Sequence, residues 1–144
     1  MREVAGGLPV IEIEVHMGCI LLVDDDAAYN KFLSTYIQEN YPLLSVETCT
    51  DPYRAIASLS SRQHYDLVLV DLEMPAMDGT KIFRFALDAG VDKNRIVILS
   101  GRDSDYLHEH FPMGTCLAVL NKFESQQKAV LNMIFSSLQR KSTA

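Results

Sequence analysis

Short apolar runs recur along this chain, and they limit its fold more than any other feature. Four of them are rich in Val, Ile and Leu: Cys19–Val23, Leu67–Val70, Ile96–Leu99 and Leu117–Leu120. A strand that is covered on both faces has this composition, because neither face meets water. Leu44–Thr48 is a fifth and more polar candidate strand. All of these runs are too short to cross a bilayer.

Segments of helical period separate the runs. Five are predicted as helices: Ala27–Asn40, a segment that begins at Asp51-Pro52, Thr80–Ala89, Ser104–His110 and Ser125–Leu138. In the first of them, apolar residues recur at helical spacing and form one stripe. Strands that alternate with helices are typical of a parallel sheet. We therefore predict an α/β fold in which helices cover both faces of a doubly wound, five-stranded parallel sheet.

The first 17 residues fall outside this alternation. Val10–Val15 alternates apolar and acidic side chains, so it is predicted either as an extra edge strand or as a leader without regular structure. A chain of 144 residues has the length of one domain. We divide it into an N-terminal extension over residues 1–17, a single domain over 18–140 and a C-terminal tail over 141–144.

Composition limits the compartment and the class of partner. The chain has 13 Lys and Arg against 19 Asp and Glu, a net charge of -6, which disfavours direct contact with nucleic acid. Cys19, Cys49 and Cys116 lack metal-ligand spacing and lie in or beside predicted strands. We expect buried free thiols and therefore a reducing, cytoplasmic location. No secretory signal or membrane segment is expected.

Polar side chains follow four of the predicted strands. Asp24 and Asp25 follow the first strand, Asp71 the third, Ser100 the fourth and Lys122 the fifth. Ligands of open parallel sheets bind beyond these carboxyl ends. Any one of these residues alone would more simply be a helix cap or a loop residue. Together, the carboxylates predict a hard metal ion that offsets their repulsion, and the hydroxyl and ammonium suit a phosphoryl group.

Four motifs at these positions resemble the receiver domain of bacterial two-component response regulators. They are Val23-Asp24-Asp25, Asp71-Leu72-Glu73-Met74-Pro75 with Met77-Asp78-Gly79, Leu99-Ser100-Gly101, and Leu120-Asn121-Lys122. The resemblance covers about residues 18 to 139. It implies a flavodoxin-like (βα)5 fold with strand order 2-1-3-4-5. It also implies that a histidine kinase transfers a phosphoryl group to an aspartate of this chain.

The same resemblance implies a Mg²⁺ site. Asp71 resembles the phospho-acceptor, whose carboxylate would attack phosphorus and form an acyl phosphate. Asp25 would bind Mg²⁺ directly, and Asp24 would assist through the metal or a coordinated water. Asp71 and the backbone carbonyl of Glu73 would complete the protein ligands, in keeping with the preference of Mg²⁺ for oxygen.

The phosphoryl group would have its own partners. By the resemblance, Ser100 would donate its hydroxyl to a phosphoryl oxygen, and Gly101 would leave room beside it. Lys122 would pair with Asp71 before phosphorylation and with the phosphoryl group afterwards, offsetting charge in the transition state. Asp26 is interpreted instead as the N-cap of the first helix.

Four positions depart from the family pattern or invite a specific hypothesis. Many receivers have a cis proline after the lysine, but Phe123 follows Lys122 here, so we predict a trans bond. Val119 stands where many receivers have a Tyr or Phe switch, so the usual aromatic switch cannot operate there. Glu73 and Arg102 have opposite charges at the entrance to the site. They predict either an ion pair that slows loss of phosphate or two independent solvated side chains.

These features predict a phosphorylatable receiver that signals through protein contacts and is not an enzyme in the usual sense. A pseudo-receiver that binds partners without phosphorylation is the alternative. A small phosphatase is a third hypothesis, but no general acid or separate substrate pocket is found for it.

The resemblance also implies partners. These are a histidine kinase or phosphotransfer protein and an unknown downstream protein, with a homodimer left open. The fourth helix, fifth strand and fifth helix are the expected contact surface, with Tyr106, Phe111 and Phe123 as candidate contacts. Only Lys141–Ala144 follow the last predicted helix, so the chain either acts alone or belongs to something longer.

Overall fold

The structure is a computed structural model that describes residues 2–3, 9–10, 17–61 and 64–142. Its centre is a parallel sheet of five strands. They are β1 (Gly18–Val23), β2 (Leu44–Cys49), β3 (Leu67–Asp71), β4 (Ile96–Ser100) and β5 (Ala118–Asn121). The spatial order is β2-β1-β3-β4-β5, and every neighbouring pair is parallel. The predicted doubly wound sheet with order 2-1-3-4-5 is confirmed.

Five helices connect and cover the strands. They are α1 (Ala27–Asn40), α2 (Pro52–Ser60), α3 (Gly79–Asp88), α4 (Ser104–His110) and α5 (Gln126–Ser142), with a short 3-10 turn at Lys93–Arg95. Asp26 caps α1 by accepting hydrogen bonds from the amides of Ala28 and Tyr29, as predicted. Asp51 caps α2 in the same way, with Pro52 in the first turn. The last helix continues to Ser142, two residues into the segment predicted as a tail.

The sheet separates two apolar cores. Val68 and Val70 of β3 face the core that includes residues of α2, α3 and α4. Leu67 and Leu69 face the opposite core, which includes residues of α1 and α5. All five residues of β3 and all five of β4 are buried. In β3 and β4, the uninterrupted apolar runs are explained by this burial on both faces, and the polar residues Asp71 and Ser100 stand at the strand ends.

Outside the sheet, the predictions have mixed outcomes. Arg2–Glu3 and Pro9–Val10 form a short antiparallel pair, but most of the predicted strand Val10–Val15 lies outside the described residues. The three cysteines are free, as predicted, yet only Cys49 is buried; the other two are half-buried. The described residues contain no cis peptide bond, so the predicted trans bond before Phe123 is confirmed. Within the same residues, no helix combines the length and apolar character needed to cross a membrane.

Candidate functional site

The polar residues that follow four strands meet at one edge of the sheet. The Lys122 ammonium bonds Asp24 Oδ2 and lies 3.2 Å from Asp71 Oδ1. The two aspartates are almost fully buried, whereas Asp25 is exposed. The pairing joins β1, β3 and β5, because each of these residues lies at or just beyond the end of its strand. Sequence position alone predicted this convergence, and the structure brings these residues together.

Three carboxylates converge beside this ion pair. Asp24, Asp25 and Asp71 each offer an oxygen, and these oxygens lie within 4.8 Å of one another. Two of the three belong to buried residues, so their mutual repulsion is poorly screened by water. An all-oxygen set with one solvent-facing member suits a hard divalent cation that keeps some of its waters.

One ammonium pairs with two buried carboxylates, so the ion pair carries an excess of negative charge that affects the protonation of its members. Burial, together with the neighbouring charge of Asp24, raises the pKa of Asp71 to about 7, although Lys122 opposes the shift. Burial alone would lower the pKa of Lys122, but its hydrogen bond to Asp24 and the charges of both aspartates raise it instead. Lys122 therefore stays charged, and Asp71 is the group that takes up a proton when no other cation is near.

This imbalance predicts a pH dependence in the absence of divalent cations. The folded state keeps a proton on Asp71 that the unfolded state releases above about pH 3.8, the ordinary value. Raising the pH therefore favours unfolding. The stability that the protonated Asp71 contributes at low pH is lost as the pH rises through about 7. Urea denaturation in EDTA should show this decline, and Asp71→Asn should flatten it. An equal slope in Asp71→Asn would contradict the assignment.

The Glu73 carboxylate accepts hydrogen bonds from two donors at the end of β4. The Ser100 hydroxyl lies 2.8 and 2.9 Å from the two carboxylate oxygens of Glu73, and the Gly101 amide donates to one of them at 2.8 Å. Arg102 instead lies over the Tyr106 ring, with its guanidinium carbon 4.5 Å from the ring centre. Of the two alternatives, the ion pair between Glu73 and Arg102 is therefore wrong. The two side chains are independent of each other, but each has a partner in the protein. Two well-aimed donors hold the carboxylate, whereas an exposed ion pair contributes little.

Two asparagines support the site, and sequence reasoning assigned a role to neither. Asn30 lies on the buried face of α1, and its side chain donates a hydrogen bond of 2.8 Å to the backbone oxygen of Asp24. The Asn121 side chain donates to the backbone oxygen of Arg102 at 2.6 Å and accepts from the Phe123 amide at 2.7 Å. It thereby joins the loops that follow β4 and β5. A polar residue on the otherwise apolar stripe of α1 was the available signal for Asn30.

Comparison with known proteins identifies the family. The sequence model of the response regulator receiver domain matches residues 20–133. The chain belongs to this family. As a receiver domain, it is similar in fold to the receiver domain of the Francisella response regulator 1452, with a TM-score of 0.69 and 22% identity over 86% of this chain and 98% of the other. TrrA of Thermotoga maritima, in complex with Mg²⁺-BeF, has a TM-score of 0.69 and 21% identity over 85% of this chain and 99% of the other.

Curated relatives are much longer than this receiver domain. A protein-glutamate methylesterase/protein-glutamine glutaminase of Rhodopseudomonas palustris is 35% identical over 65 residues, which is 45% of this chain and 18% of the relative. The chain thus spans about a fifth of the length of that relative. The likeness supports the receiver unit and does not transfer the activity of the longer protein.

Proposed function

We propose that this receiver domain accepts a phosphoryl group on Asp71 in a Mg²⁺-dependent reaction. The observation that carries the proposal is the pairing of Lys122 with both Asp24 and Asp71 beside a third carboxylate. A buried carboxylate can act as a nucleophile toward phosphorus, and an adjacent ammonium can offset negative charge on the transferring phosphoryl group. The structure of the similar protein TrrA with Mg²⁺-BeF supports a divalent cation and a phosphoryl analogue in this fold.

The residues divide the chemistry between them. An oxygen of Asp71 attacks phosphorus, a P–O bond forms, and the bond to the donor breaks with its electron pair leaving on the donor. Asp24, Asp25, Asp71 and the backbone carbonyl of Glu73 would hold Mg²⁺, which offsets negative charge on the phosphoryl oxygens when it is bound. Lys122 keeps the acceptor carboxylate oriented, then pairs with the phosphoryl group. Ser100 contributes its hydroxyl to a phosphoryl oxygen.

The phosphoryl donor and the output are protein partners in this proposal. A cytoplasmic histidine kinase or phosphotransfer protein supplies the phosphoryl group, and a downstream protein binds the domain over 18–140 after phosphorylation. The surface formed by α4, β5 and α5 is the proposed contact. Phe123 is 82% exposed there, whereas Tyr106 and Phe111 are half-buried and offer less area. The domain itself catalyses no reaction other than its own phosphorylation and dephosphorylation.

Intact mass after incubation with acetyl phosphate and Mg²⁺ tests the proposal. We expect a phosphoryl adduct on the parent protein that is lost in EDTA and in Asp71→Asn. Asp105→Asn, which changes an exposed carboxylate on α4, is the matched control and should keep the adduct. The acyl phosphate should also be released by hydroxylamine, which separates it from a phosphoserine.

A negative mass result is resolved by a second measurement. Some receivers accept only protein donors, so Mg²⁺-dependent binding of beryllofluoride is measured in parallel. Binding that requires Asp71 would support the proposal even without an adduct. Absence of both adduct and beryllofluoride binding would overturn it in favour of the phosphorylation-independent pseudo-receiver.

A further inference from the structure

We propose that the Glu73 side chain is an internal competitor for the phosphoryl site and must withdraw before Asp71 can be phosphorylated. This inference rests on the proposed function and adds a regulatory step to the same site. Its basis is that the Glu73 carboxylate already accepts hydrogen bonds from the hydroxyl of Ser100 and the amide of Gly101. Those groups form a small anion-binding site, and a carboxylate is the anion that the chain itself supplies.

Occupation of this site by Glu73 and by a phosphoryl group is mutually exclusive. A serine hydroxyl has a single hydrogen to donate. The Arg102 amide donates to the Ser100 oxygen at 3.0 Å, so that oxygen is already engaged as an acceptor. The single hydrogen that the hydroxyl can donate is directed at Glu73. A phosphoryl oxygen can bind Ser100 only if Glu73 releases it.

Glu73 also lies beside Gly101, where a phosphoryl group would meet its charge. A methyl group built on Gly101 would lie 3.3 Å from a ring carbon of Phe123 and 3.7 Å from a carboxylate oxygen of Glu73. The Phe123 ring and the Glu73 carboxylate therefore flank this glycine. A phosphoryl group beside the Glu73 carboxylate would also bring like charges into contact, which favours expulsion of Glu73.

Glu73 can withdraw because hydrogen bonds alone hold it. The residue is exposed and lies in the loop between β3 and α3. The ion pairs of the described residues do not include Glu73, since Lys122 is engaged by Asp24 and Asp71 and Arg102 lies over Tyr106. Rotation of the side chain into water would replace its hydrogen bonds with hydration. The site therefore alternates between a closed form and an open form that can receive phosphate.

Only the open form binds phosphoryl analogues. The apparent affinity of the site therefore equals the affinity of the open form multiplied by the fraction of molecules in that form. In Glu73→Ala, all molecules are open, so we expect beryllofluoride to bind about tenfold more tightly and acetyl phosphate to react about tenfold faster. Glu73→Gln retains an acceptor without the charge and should fall between the two. Glu109→Ala, which removes an exposed glutamate from α4, is the matched control and should behave like the parent.

A metal-free NMR measurement tests the closed form without phosphorylation. The amide proton of Gly101 should move upfield in Glu73→Ala, because its hydrogen bond to a charged acceptor is lost, and should remain in place in Glu109→Ala. Unchanged Gly101 shifts in Glu73→Ala would overturn the closed form. A changed shift with unaltered beryllofluoride affinity and reaction rate would overturn the competition while leaving the proposed function intact. Failure of the parent and all variants to bind beryllofluoride or form an adduct would overturn the proposed function and this inference with it.

Discussion

Replacing Gly79 with alanine is expected to destabilise the domain and to displace Asp71. A methyl group at this position would lie 2.2 Å from the backbone oxygen of Asp71, 2.7 Å from the Cα of Leu72 and 2.9 Å from the carbonyl carbon of Asp71. These are backbone atoms, so no side-chain rotation can relieve the overlap. The Gly79 amide also donates to the Leu72 oxygen at 2.9 Å, which fixes the two segments together. We expect a loss of about 3 kcal/mol in the free energy of unfolding.

Two other glycines provide controls for this prediction. Alanine at Gly101 would contact the ring of Phe123 at 3.3 Å, and an exposed side chain can move aside. Gly90 has a φ of +97°, and a methyl group built on it would have no atom within 4 Å. Alanine there should therefore cost only the strain of the left-handed backbone conformation, about 1–2 kcal/mol. Chemical denaturation of the three variants should rank Gly79→Ala as the least stable by a clear margin. A cost for Gly79→Ala no larger than that for Gly101→Ala would contradict the close approach.

Removing the Lys122 ammonium is expected to have the largest electrostatic effect. Without it, the part of the chain that the structure describes offers Asp24 and Asp71 no other ion-pair partner in their buried site. Loss of one partner of a buried ion pair costs about 3–5 kcal/mol. We expect Lys122→Ala to lose about this much stability in EDTA near pH 8. The loss should be smaller at acidic pH, because Asp71 can then take up a proton.

Mg²⁺ should stabilise Lys122→Ala more than it stabilises the parent protein. The cation enters a carboxylate cluster in which it no longer competes with an ammonium, and ligand binding to the folded state raises stability by mass action. Thermal unfolding with and without Mg²⁺ measures the difference. Lys81→Ala, which removes an exposed lysine from α3, should show neither the loss nor the extra response to Mg²⁺. Equal Mg²⁺ stabilisation of the parent and Lys122→Ala would argue against one shared cation site.

The strands and the polar residues at their ends were predictable because each depends on short-range sequence. An apolar run such as Leu67–Val70 indicates a strand covered on both faces, and the polar residue that follows it must lie at the sheet edge. Parallel pairing then brings Asp24, Asp71 and Lys122 to the same edge. The caps at Asp26 and Asp51 were predictable for the same reason, since a cap acts within three residues.

The orientation of Glu73 could not be predicted, because it depends on a choice between weak alternatives. From the sequence, the positive charge of Arg102 made it the expected partner of Glu73. In the fold, two donors at the end of β4 hold the Glu73 carboxylate instead. The close approach at Gly79 was hidden for a different reason. The sequence Met77-Asp78-Gly79 indicates a turn, whereas the contact with Asp71 arises only when β3 and α3 pack together.

The distance along the chain between the charges of the site also affects how the domain is made. Lys122 is 98 residues from Asp24, and it directly follows β5, which comes after the other four strands of this sheet in the chain. Until β5 docks, β1 and β3 hold acidic groups at their ends with no lysine to balance them. Attraction between this acidic edge and the arriving Lys122 favours addition of β5 in its native position. An incomplete nascent chain therefore lacks Lys122 at its acidic site, and the complete charge arrangement arises only when the sheet is finished.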